Sequence, residues 1–82
     1  MITIKYFANL REVAGKSEDH LEEIELPLKG FVDRIGQFQP QIAELIRGKK
    51  IMVSVNHNVA GPDTIIRSGD EVALLPPFSG GL

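Results

Sequence analysis

Few side chains of this chain are equipped for chemistry of their own. The candidates are His20 beside an acidic stretch, His57 in an Asn-flanked turn, and the carboxylates Glu18, Asp19, Glu22, Glu23 and Glu25. Two histidines and no cysteine leave little from which to build a His-based triad or a two-His metal site. Both histidines therefore read as exposed loop residues. The carboxylates would hold a divalent cation only if several converged on one point, which a loop leading into a face-alternating strand does not ensure. They read as a solvated or partner-facing surface, and no metal site is expected. Neither GxxxxGK[ST] nor GxGxxG occurs, so the chain itself is expected to bind no nucleotide and no other cofactor.

The stretch that does suggest chemistry is LLPPFSGGL, residues 74–82. Gly80 and Gly81 lack Cβ atoms, so an extended backbone here can thread a channel too narrow for any larger residue. The tail has the character of a substrate for another enzyme. A terminal glycine carboxylate resists nucleophilic attack and needs activation, for example as an acyl-adenylate, before sulfide or an amine can displace the leaving group. A partner must supply the ATP. Pro76 and Pro77 fix φ near −65° and favour a stiff exit from the last strand. Phe78 is placed to act as an apolar anchor on a partner.

The elements that would position this tail follow from hydrophobic periodicity. Ile2, Ile4 and Tyr6 share one face of an extended segment, with Thr3, Lys5 and Phe7 on the other. Leu10, Val13 and Ala14 have helical spacing, and Gly15 suits the left-handed residue past a helix end. A polar loop, GKSED, then leads to an expected second strand over residues 21–26. Between Pro27 and Gly48 the period is helical, carried by Phe31, Ile35 and Phe38 and then by Ile42, Leu45 and Ile46. Gly36 weakens this segment, Pro40 suits a first helical turn, and Gly48 a stop, so a kink is expected near residues 36–40. Ile51, Val53 and Val55 share one face of a third strand. Residues 64–67 suggest a short strand, and EVALL a last strand closed by Pro76. Lys49-Lys50 reads as a solvated turn.

A sheet whose apolar face is covered by helices is a two-layer α+β arrangement, for which the β-grasp is the economical topology. The expected sheet is mixed, with 4–5 strands packed on a main helix accompanied by short extra helices. At 82 residues the chain has room for one core. The expected division is a domain over residues 1–78 and a flexible tail over 79–82. Nine basic against eleven acidic residues argue against phosphate-driven nucleic-acid binding. There is no apolar run of bilayer length and no basic, apolar leader. A soluble, cytoplasmic protein with neither a nucleic-acid nor a membrane partner is expected.

The ordered combination of ITIKYFANLREVAG, MVSVNHNVA and SGDEVALLPPFSGG resembles the small, sulfur-carrying subunits of molybdopterin synthase (the MoaD type), within the ubiquitin-like β-grasp proteins. The resemblance runs nearly end to end, although residues 27–48 match only as a helical segment. It implies a protein without an active site of its own, whose terminal glycine is adenylated by a ubiquitin-activating-like adenylyltransferase and converted to a thiocarboxylate. The carrier then docks on the large synthase subunit and gives up its sulfur in making the dithiolene of molybdopterin. Carried onto this sequence, the acting residue is Gly81, and Gly80 supplies slimness. Phe7, Leu75, Pro77 and Phe78 are the candidate docking residues, with core packing an equal reading for Leu75.

Leu82 departs from the pattern, because it denies Gly81 a free carboxylate. Proteolytic removal, an appended residue, or a member that does not carry sulfur in the usual way would each account for it. The alternative functions are a carrier for thiamine or another thio-metabolite, a ubiquitin-like protein modifier, and an interaction module with an inert tail.

Overall fold

The alternation of the opening residues is realised as a strand in the computed structural model, in which residues 1–76 are described. Strand β1 (Ile2–Tyr6) buries Ile2, Ile4 and Tyr6 and turns Thr3 and Lys5 to the other face. It is antiparallel to β2 (Glu18–Leu21), with Ile2 opposite Leu21, and parallel to β7 (Glu71–Leu75), with Tyr6 opposite Leu74. On its other side β7 is antiparallel to β4 (Met52–Val55), and β4 pairs with the two-residue β5 (Asn58–Val59). The sheet order is thus β2-β1-β7-β4-β5, with the first and last strands side by side at its centre. A separate ribbon joins β3 (Glu25–Pro27) to β6 (Ile65–Arg67). Helices α1 (Leu10–Ala14), α2 (Leu28–Ile35) and α3 (Pro40–Arg47) complete the chain order.

One core results. The sheet contributes Ile2, Ile4, Tyr6, Val53, Val55, Val72 and Leu74, and the helices Leu10, Phe31, Val32, Ile35, Ile42 and Ala43. The mixed sheet under helices is the expected β-grasp arrangement, with a central parallel pair joining β1 and β7.

Several elements differ from the sequence reading. The second strand lies at Glu18–Leu21, not at 21–26, so part of the GKSED loop is extended and His20 sits in a strand. Pairing with β1 decides this, because Leu21 must face the core opposite Ile2. Ile24, which the expected strand would have included, is a bend residue 82% exposed. The helical segment with its expected kink near residues 36–40 is two eight-residue helices that flank this break. Gly36 ends the first helix close to the second: a Cβ there would meet the Cβ of Ala43 at 3.5 Å, an ordinary contact, and the Asp33 carbonyl of its own helix more tightly, at 3.3 Å. Phe38 falls in the break, 41% exposed, and Pro40 occupies the first turn of α3.

Helix termini follow the expected chemistry with one change of residue. Gly15 takes the left-handed conformation (φ 79°) after α1. After α3 that conformation passes to Lys49 (φ 57°) rather than Gly48. The N–H of Lys49 donates to the carbonyl of Ile46 and that of Lys50 to Leu45, the paired bonds of a Schellman motif. The short β5 escaped the sequence reading. It follows a two-residue turn in which Asn56 (φ 50°) and His57 (φ 72°) both have positive φ, as a type I′ hairpin requires.

Candidate functional site

The parallel register of β1 and β7 makes both strands end at the same edge of the molecule. The ladder continues one residue further, since the Phe7 N–H donates to the Leu74 carbonyl at 3.1 Å. Phe7 therefore lies beside Leu75, and Leu75 is opposite Met52, the first residue of β4. Strand alternation puts Phe7, Leu75 and Met52 in one row on the sheet face away from the helices. Phe7 is 37% exposed, and Leu75 and Met52 are half-buried. Directly after Phe7 the chain turns through Ala8 at φ 53°, a left-handed conformation that costs a residue bearing a Cβ roughly 1 kcal/mol or more. This turn carries the chain from β1 into α1 at the point where β7 delivers the tail.

Behind that apolar row the face becomes polar. The next row holds Glu18, Lys5, Ala73, Ser54 and Val59, and the one after it His20, Thr3 and Glu71. The Lys5 ammonium meets Glu71 at 2.7 Å. This hydrogen bond, with the attraction between the opposite charges, holds the Glu71 carboxyl below its ordinary range and raises the pKa of Lys5. Both groups are well exposed, so the pair organises the surface more than it stabilises the fold. Apolar surface at the strand ends, with charge set back from it, suits contact with another protein.

Beneath the same end of the sheet, on the helix side, the buried Tyr6 hydroxyl donates to Asp19 at 2.8 Å, and Lys16 reaches the other Asp19 oxygen at 3.0 Å. Burial pushes the Asp19 carboxyl upward. The bonds from Lys16 and Tyr6 outweigh burial and leave it below the ordinary aspartate value. Burial, reinforced by the bond to Asp19, drives the Tyr6 phenol well above its usual range. The two residues fasten β2 to β1 and fix the edge from which Phe7 emerges.

The remaining carboxylates disperse rather than converge. Glu18 pairs with His20, Glu23 with Arg34 and Glu25 with Arg67. Of the sequence-derived site residues, the structure brings Phe7 and Leu75 together, with Leu75 half-buried on the outer face of the sheet. Pro77, Phe78, Gly80, Gly81 and Leu82 lie outside the described residues. Met52 was missed, because its place beside Leu75 depends on antiparallel register between strands far apart in sequence.

A central parallel pair, helices on one face and an apolar exit edge on the other define a ubiquitin-like β-grasp domain. The chain belongs to the ThiS family, which it matches over residues 4–81. It is 31% identical over 83 residues to a molybdopterin synthase sulfur carrier subunit of Dictyostelium discoideum, covering 95% of this chain and 93% of the relative. It is 26% identical over 81 residues to one of Haemophilus influenzae, covering 99% and 100%. The crystal structure of SAMP1 from Haloferax volcanii superposes with a TM-score of 0.76 at 29% identity, covering 98% of each chain.

Proposed function

We propose that the protein is a sulfur carrier whose Gly81 carboxylate is activated and thiocarboxylated by a partner, for delivery in molybdopterin synthesis. The observation that carries this reading is the family match, which extends past the last strand to residue 81 and so includes both tail glycines. The relatives bearing the sulfur-carrier name align over nearly their whole length. On this reading Gly81 must first have a free carboxylate, so Leu82 is removed before activation. The carboxylate then attacks the α-phosphate of ATP held by a cytoplasmic adenylyltransferase, and pyrophosphate leaves. A sulfur nucleophile displaces AMP from the acyl carbon and leaves the thiocarboxylate. Phe7, Leu75 and Met52 form the face on which the activating enzyme and then the large synthase subunit dock, and Pro77 and Phe78, which follow in the sequence, are the further docking residues on this reading.

The test is a chain ending at Gly81, incubated with such an adenylyltransferase, ATP and a sulfur donor, then weighed intact. The expected mass gain is that of one oxygen replaced by sulfur, and Gly81→Ala abolishes it. No gain, or a gain that survives the substitution, refutes the reading. Adding the large synthase subunit and the pyranopterin precursor then tests the pathway. If the thiocarboxylated chain forms no molybdopterin, the sulfur goes to another acceptor.

A further inference from the structure

Two adjoining hollows of about 550 and 440 Å³ run along the α2/α3 layer to the β4–β5 edge, where the second reaches Met52 at the end of the exit row. They share Leu28, Ile46 and Pro62, and Val32, Ile51 and Ala60 extend the apolar lining. The rim is basic. It carries Lys29, Arg47 and Lys49, opposed only by Asp33, which is already bonded to Arg47 at 2.8 Å. Among the described residues Lys29 and Lys49 join no ion pair.

The chain presents a complementary shape elsewhere. In the β2–β3 connection Ile24 is 82% exposed, the most exposed large apolar side chain among the described residues, and Glu22, Glu23 and Glu25 surround it in sequence. The connection is braced: the Ile24 carbonyl accepts from the Ser68 N–H at 2.8 Å, Glu23 pairs with Arg34, and Glu25 with Arg67. It is an apolar knob ringed by negative charge on an anchored loop. Knob and groove cannot meet within one molecule. Ile24 adjoins the Glu25 end of the β3–β6 ribbon, whereas Leu28 and Pro62 lie past its Pro27 end, about 10 Å away along the strand.

We infer that the groove receives Ile24 of a second copy of this chain, with Glu22 and Glu25 of one copy facing Lys29 and Lys49 of the other. A two-fold pair uses both contacts at once, since each copy offers one knob and one groove. One side chain seated in each groove is a small contact beside the roughly 1,200–2,000 Å² of stable complexes, so the pair is expected to be weak and concentration-dependent. Because Met52 and Val59 line the groove and also lie on the sheet face described above, pairing and partner docking compete for the same edge.

Sedimentation of the full chain over a wide concentration range tests this, with nitrogen–proton NMR spectra following residues at both surfaces. The expected result is a mass rising toward twice the monomer, with concentration-dependent shifts at Ile24, Ile46, Ala60 and Gly61. Ile24→Asp should lower the association constant at least about tenfold, the loss of one buried aliphatic side chain. Its melting temperature should be unchanged, because the residue is exposed. Lys29→Glu with Lys49→Glu should also abolish pairing, and adding Glu22→Lys with Glu25→Lys to that chain should restore it. A monomer at every concentration overturns the inference. So does association that Ile24→Asp leaves intact, or shifts confined to Phe7 and Leu75. These outcomes are independent of sulfur loading and leave the carrier reading untouched.

Discussion

Tyr6→Phe isolates the bond that fastens β2 to β1. Phenylalanine keeps the buried ring and deletes only the hydroxyl that donates to Asp19 at 2.8 Å. The Asp19 side chain is 14% exposed, so the lost donor is not freely replaced by water. A hydrogen bond to a charged, largely covered acceptor is worth about 1.5–2 kcal/mol. Unfolding entropy of about 2.1 cal/mol/K per residue makes each kcal/mol worth roughly 6 °C in a domain of this length. Thermal unfolding followed by circular dichroism at neutral pH should therefore show Tm lowered by about 9–12 °C. The direction with pH is fixed by Asp19, whose pKa is depressed in the folded state. Its contribution is present above the unfolded aspartate value near 3.9 and is lost as pH falls through the lower folded value. The gap between Tyr6→Phe and the parent should narrow in acid, and a double-mutant cycle with Asp19→Asn should return a coupling close to the single-site loss. A Tm drop below about 3 °C at neutral pH, or a gap that does not change with acidification, refutes the account.

Three further outcomes are expected. Tyr6 is the only tyrosine, and its raised pKa means that the neutral phenol stabilises the fold below about pH 10 and that this stability is lost as pH rises further; phenolate absorbance should appear together with unfolding rather than before it. Lys49→Gly removes the left-handed strain at the end of α3 and should stabilise by about 0.5–1 kcal/mol in denaturant titrations, after allowance for the greater freedom of glycine in the unfolded chain. Phe7→Asp loses the buried part of a side chain that is 37% exposed and should lower Tm by about 6–12 °C while leaving the domain folded, and should weaken binding to the proposed activating enzyme at least about tenfold in calorimetry.

The sequence made β1 and β7 legible because both alternate strictly between a core face and an outer face. The ending and the order of motifs likewise pointed to the family, since the relevant residues are contiguous in the chain. Pairing partners were not legible in the same way. Residues 21–26 look like a strand in isolation, and only the register of Leu21 against Ile2 shows that the paired segment lies upstream and that Ile24 is left outside. Gly36 and Pro40 announced the break between the helical pieces, whereas the packing of Ala43 close to Gly36 across it is a contact that local periodicity does not reveal. Met52 joined the exit row only through its register with Leu75. Local periodicity thus named the elements, and long-range pairing placed them.

The central position of β7 has a mechanical consequence. It is bonded along its length to β1 on one side and β4 on the other. A pull on the C-terminal end of β7 along its axis loads those two ladders in shear, so many hydrogen bonds bear the force together instead of opening one after another. The domain can therefore be held, pulled and released by its C-terminal end through repeated cycles without being unravelled.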